Sequence, residues 1–168
     1  PVIPIFTLSY SRIARLGENL CGFRMLGRGV DPKDALVKLL FELGLLNQIP
    51  EKQLYSNEVD GPIKLLDKAG LLQEHKAILA VSGKLGVEYL DIDNPDLSGT
   101  FNPSSFVGQV TPELCWNKLL LPLKELKGRV WVACANPLDI DSVRSMEFSL
   151  SKPIKLIIVE EFKLKRAL

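Results

Sequence analysis

The sequence predicts an α+β fold: a helical subdomain of two helix–turn–helix repeats, then a small mixed sheet of three to four strands with helices. Three observations carry that expectation. Leu39-Leu40-Phe41-Glu42-Leu43-Gly44-Leu45-Leu46 is echoed by Leu65-Leu66-Asp67-Lys68-Ala69-Gly70-Leu71-Leu72. After Gly83 and Gly86 the apolar period changes from helical spacing to strand-like runs separated by turn residues. With 168 residues, 46% of them hydrophobic and 24% charged, the chain has enough apolar surface for a real core.

Residues 1–30 read as a weakly defined extension: Pro1 and Pro4 bracket an extended apolar start, Ser11–Leu20 suits a short helix, and Gly22, Gly27 and Gly29 break the stretch after it. The chain opens on Pro1 without a methionine, as a fragment of a longer polypeptide would. Asp31-Pro32-Lys33-Asp34 is a helix start, with a capping carboxylate, proline at the first helical position and an acid in the first turn. Leu36, Leu39, Leu40 and Leu43 continue it at helical spacing, and Gly44 ends it. The echo over 65–72 ends at Gly70 in the same way. A second short helix is expected after each copy, around 50–55 and 73–82. Neither unit can bury an apolar face alone, so the two should pack together as a helical subdomain over 31–84.

An α/β subdomain is expected over 85–168. Val87–Ile92 reads as a strand and Asp93–Ser105 as a turn-rich connector. Then come a helix over 111–118, strands over 119–123 and 129–135 joined at Lys127-Gly128, a helix over 139–149, a strand over 154–159 and a helix from 160. The helix between the last two strands is long enough for a right-handed crossover, which makes that pair parallel.

Composition excludes several functions. A formal charge of +1 provides no large basic field for nucleic acid, and Lys163, Lys165 and Arg166 read as a solvated helix face. The longest apolar run is far short of the ~20 residues that span a bilayer, so no direct membrane insertion is expected. Cys21, Cys115 and Cys134 are odd in number and lack metal-ligand spacing; Cys115 and Cys134 read as small core residues in a reduced, cytosolic compartment. His75 has no serine or cysteine partner signalled nearby, so no catalytic residue is assigned. Asp91, Asp93 and Asp96 lack the glycine and glutamate of a calcium loop. Gly83-Lys84-Leu85-Gly86 is not a phosphate loop, because Ile78 stands where a further glycine is needed and Leu85 where Ser or Thr is needed. In Asn136-Pro137-Leu138-Asp139, proline ends a strand and Asp139 caps the next helix. Arg24 and Arg28, beside glycines, read as part of a loop.

One series of motifs points to a family. Thr111-Pro112-Glu113-Leu114, Leu121-Pro122-Leu123, Val130-Trp131-Val132-Ala133-Cys134-Ala135-Asn136-Pro137-Leu138-Asp139, Phe148 and Pro153-Ile154-Lys155-Leu156-Ile157-Ile158-Val159-Glu160-Glu161 succeed one another along the chain. The series resembles the N-terminal domain of type II secretion and type IV pilus assembly ATPases, well over the second half of the chain and more loosely back to about residue 36. The resemblance implies a non-catalytic docking and regulatory domain that binds the cytoplasmic domain of an inner-membrane secretion protein. It further implies an ATPase domain C-terminal in the same polypeptide and a cytoplasmic place peripheral to the inner membrane. Leu36, Leu40, Phe41, Leu43 and Leu45 are the partner-binding candidates, since they exceed what one apolar stripe needs.

One branch of the family implies an alternative, a cyclic di-GMP-sensing domain. Its tandem repeats open on arginine-leucine-glycine and close on a later glycine. Gly44 and Gly70 keep the later glycine, whereas Ala35-Leu36-Val37 and Gly61-Pro62-Ile63 stand where the opening belongs. Arg15-Leu16-Gly17 matches the opening, but Arg24 replaces the glycine that should come next. Arg15, Gly17, Gly44 and Gly70 are the nucleotide-binding candidates.

Overall fold

The computed structural model describes residues 31–56 and 59–168. The expected helix over 11–20, Arg15, Gly17, Cys21, Arg24 and Arg28 lie outside the described residues.

Helix α1 (Pro32–Glu42) begins as its sequence dictates: the Asp31 carboxylate accepts the Lys33 N–H at 2.9 Å and Pro32 fills the first turn. α2 (Pro62–Lys68) and α3 (Glu74–Leu85) come next. Gly44 and Gly70 both adopt φ of +72°. In each copy the glycine N–H bonds back three residues, to Phe41 or Asp67, at 2.9 Å, and the next N–H reaches Leu40 or Leu66, at 3.1 or 3.0 Å. Both turns are Schellman motifs, whose left-handed residue is nearly always glycine.

The two copies diverge after that turn. Where a helix was expected over 50–55, the chain makes one 3-10 turn, Lys52–Leu54. Lys52 Nζ is bound to Asp31 and Asp34, each at 3.0 Å, and Tyr55 Oη donates to Asp34 at 2.9 Å. These side-chain ties to α1 hold the segment in place of an i→i+4 ladder.

The sheet runs β1 (Glu88–Tyr89), β4 (Ile154–Ile158), β3 (Arg129–Cys134), β2 (Leu120–Leu126), in that spatial order. β2 and β3 are antiparallel, and β3–β4 and β4–β1 are parallel. Lys127 and Gly128 join the hairpin with φ of +51° and +71°, the two positive values a type I′ turn requires. α6 (Ile140–Leu150) supplies the crossover, and α7 (Glu161–Ala167) closes the chain. α5 (Pro112–Lys118) precedes β2, capped by Thr111.

The strand expected over 87–92 pairs only at Glu88 and Tyr89. Asp91 turns the chain away by accepting the Asp93 N–H at 3.1 Å, while Val87 and Ile92 are buried instead of extending the ladder. The connector holds a short helix α4 (Pro95–Ser98) and a 3-10 turn at Pro103–Phe106.

Period-two alternation gives the sheet two apolar faces. Val130, Val132, Cys134, Ile154, Leu156 and Ile158 join Leu36, Leu40, Leu66, Ile78, Leu85 and Met146 in one cluster, so the helical layer packs directly on the sheet. Ala133, Ile157, Leu121 and Leu123 form a second cluster with Leu164 of α7 and Ile92 of the connector. Cys134 is fully buried, which pushes its thiol up to about 12.

Candidate functional site

A crevice of about 420 Å³ lies where the helical layer meets the ends of β3 and β4. It is lined by the N-terminal residues of several helices: Asp31 and Pro32 of α1, Gly61 and Pro62 of α2, Glu74 of α3, Asp139 and Ser142 of α6, and Glu161 of α7. Converging helix N-termini make an anion-binding environment, because their unpaired N–H groups and positive dipole ends face one space.

Here the chain's own carboxylates answer those groups. Asp31 caps α1. Asp139 caps α6, accepting the Ser142 N–H at 3.3 Å and its hydroxyl at 2.6 Å. Glu74 Oε1 accepts the Glu161 N–H at 3.1 Å and Glu74 Oε2 pairs with Lys64 at 3.3 Å. α2 has no side chain of its own for the task, since Gly61 is its N-cap. Glu161, a hundred residues away and 4% exposed, supplies both oxygens to the Gly61 N–H at 2.9 Å each. A side chain at position 61 would meet Glu161 Oε2 at 2.5 Å, so the close approach requires glycine. Asn136 adds a tie across the crevice, donating to the Pro32 carbonyl at 3.1 Å and accepting the Leu138 N–H at 3.0 Å.

The basic cluster of α7, expected as a solvated face, is instead ion-paired. Lys163 bonds Asp91 at 3.0 Å and Glu160 at 2.5 Å, Lys165 bonds Asp60 and Glu161 at 2.7 Å each, and Arg166 pairs with Asp93. Lys165 and then Lys68 hold the Asp60 carboxyl down at about 2. These pairs bind α7 to α2 and to the connector.

The proposed apolar docking face divides. Leu36 and Leu40 are buried in the main cluster, 1% and 0% exposed, and are corrected from surface to core: they are consumed by the packing of α1 into the cluster it shares with α2, α3 and the sheet. Leu43 and Leu45 are half-buried against the same cluster, and Phe41 is exposed. Gly44 and Gly70 sit in the two helix-ending turns. Gly83 and Lys84 lie within α3, and Gly86 caps it with φ of +64°. His75 Nδ1 lies 2.7 Å from Glu160 and its ring meets Tyr89 edge-on at 5.6 Å. Among the described residues no group of His, Cys, Asp and Glu is placed to hold a metal ion, and no helix is long and apolar enough to cross a membrane.

Sequence reading missed Glu161, Gly61 and Asn136 as members of one site. Their only sequence signal is local: Gly61 before a proline, and an acidic pair at 160–161 after a strand.

Comparison with known proteins places this architecture. The MshEN domain profile matches residues 85–168, half of the chain. The N-terminal domain of XpsE is similar at TM-score 0.58 and 16% identity, over 83% of this chain and 95% of that one. A second crystal form of that domain gives 0.53 and 19%, over 83% and 96%. MshE solved with cdg gives 0.56 and 17%, over 79% of this chain and 94% of that one. A search of curated proteins finds no match. At these identities the structural likenesses establish a shared fold, and with the profile match they establish that the chain belongs to the MshEN domain family, an N-terminal domain of secretion and pilus assembly ATPases.

Proposed function

We propose that this domain is a non-catalytic docking and regulatory module, one that binds the cytoplasmic domain of an inner-membrane secretion protein and tethers an ATPase domain of the same polypeptide. Its place is then cytoplasmic, at the inner membrane through the partner. The observation that carries this reading over nucleotide sensing is the internally capped crevice. A cyclic dinucleotide would bring two phosphates to helix N-termini that Asp31, Asp139, Glu74 and Glu161 already serve, and the anions would repel. MshE, solved with cdg, supports the alternative by fold alone.

Titration with fluorescently labelled cyclic di-GMP, alongside capture on an immobilised partner cytoplasmic domain, separates the readings. Saturable partner capture without nucleotide binding is expected. Saturable nucleotide binding that is lost on mutating Gly44 and Gly70, with no partner capture, would reverse the order of the two.

A further inference from the structure

We infer that the hairpin end of the sheet carries a second recognition surface, a Lys124–Trp131–Lys155 row that receives an acidic segment of a partner protein. The inference deepens the docking reading and rests on it.

The row is built by register. Lys124 of β2 stands opposite Trp131 of β3, and Trp131 stands opposite Lys155 of β4. The alignment depends on the irregularity between Pro122 and Lys124: Pro122 pairs with Val132 and Lys124 with Trp131, which leaves Leu123 as the extra residue. The Leu123 carbonyl is held by the Asn102 N–H at 2.7 Å. The two ammonium groups lie 4.4 and 3.9 Å from the centre of the Trp131 ring. Lys124 is further placed by the Thr100 hydroxyl at 3.3 Å and the Phe101 ring at 5.5 Å.

Two cations on one indole repel each other, and the ring offsets only part of that cost. Carboxylates answer some of the neighbouring charge: Lys155 pairs with Glu88 and Lys152 with Glu125, each at 2.6 Å. Among the described residues Lys124, Lys127 and Arg129 have no carboxylate partner. The hairpin therefore presents unanswered positive charge beside a half-buried tryptophan, whereas the basic cluster of α7 is fully paired.

Charge complementarity calls for an anionic occupant, and the geometry selects a protein segment. Trp131 is half-buried in the sheet face instead of projecting, so it is not shaped to enter a bilayer. Its ring is already faced by ammonium groups, so it is not a free platform for a base. The ammonium groups of Lys124 and Lys155, 4.4 and 3.9 Å from one ring centre, are bracketed by that ring, and carboxylates at alternate positions of one extended acidic segment, roughly 7 Å apart, can match their separation.

The test uses a Trp116→Phe chain, which leaves Trp131 as the fluorescent reporter among the 2 tryptophans. A synthetic alternating Glu-Val peptide should shift Trp131 emission saturably, with binding weakened at ~0.5 M salt. Lys124→Glu/Lys155→Glu should lower peptide affinity about tenfold or more. Lys76→Glu/Lys84→Glu on α3, with the same charge change, should leave it intact and so controls for net charge. No shift, or equal loss in both double variants, overturns the inference, as does tighter binding of phosphatidylglycerol vesicles or a single-stranded oligonucleotide. The docking reading fails separately, if the wild-type chain captures no partner domain. Partner capture unaffected by Lys124→Glu/Lys155→Glu removes this surface alone.

Discussion

The two helix–glycine copies end alike and begin differently. α1 has 11 residues and α2 has 7, yet both stop in Schellman turns with the same φ at Gly44 and Gly70. At the other end, α1 is capped by its own Asp31, whereas α2 borrows Glu161 from the far end of the chain. The difference teaches which half of a helical repeat is local chemistry and which half is a tertiary contract. A C-terminal glycine works wherever the chain places it. An N-terminus without a capping side chain survives burial only if another element brings an acceptor.

The strongest way to break that comparison is to remove the borrowed cap. Glu161→Ala deletes a buried carboxylate, its bonds to Gly61 and its pair with Lys165; a loss of about 2–3 kcal/mol is expected. Asp31→Ala should cost about 1 kcal/mol, the usual worth of a local cap. Denaturant midpoints of the two variants decide the matter, and equal losses would mean that Glu161 is not structurally special.

Next in size is Gly61→Ala. Its Cβ would displace Glu161 Oε2, and an overpacked buried site costs about 1–2 kcal/mol. Because the added methyl and the carboxylate compete for one place, combining Gly61→Ala with Glu161→Ala should cost less than the two single losses together; additive losses would mean that the glycine and the carboxylate act independently.

Gly44→Ala and Gly70→Ala sharpen the other side of the comparison. Neither position has a neighbour within 4 Å of an added Cβ, so only the left-handed backbone opposes the change. Each should cost about 1 kcal/mol, and the two should agree within error. A several-fold difference in thermal-unfolding free energy would show that the turns are not equivalent.

The smallest effect is in pH. Asp60, next to Gly61, is held at about 2 by Lys165 and Lys68, below its ordinary value of 3.8. A depressed carboxyl stabilises the fold above its unfolded value, and that stability is lost as pH falls from about 4 through about 2. Asp60→Asn should flatten the stability curve across that window in acid titrations followed by circular dichroism. An unchanged acid limb would remove Asp60 from the ties between α2 and α7.

Much of this was legible from sequence because its causes are short-range. Asp31-Pro32, the two glycines, Lys127-Gly128 and the Asp139 cap each depend on a few adjacent residues whose conformational preferences survive in any context. The candidate site was far less legible. Leu36 and Leu40 were indistinguishable by pattern from a partner-binding stripe, since periodicity reports that a residue is apolar and not what covers it.

The sequence by itself determined the order of elements, the parallel crossover, the helix-ending turns and the family. Only the tertiary structure decided that Leu36 and Leu40 of α1 are covered within the main cluster, that Glu161 serves Gly61, and that a register slip sets Lys124 beside Trp131. The physical reason is separation along the chain. Dihedral preference and capping act over a turn or two, while a buried carboxylate, a covering face or a cross-strand neighbour is chosen by whichever distant residues the folded layers bring within a few ångströms.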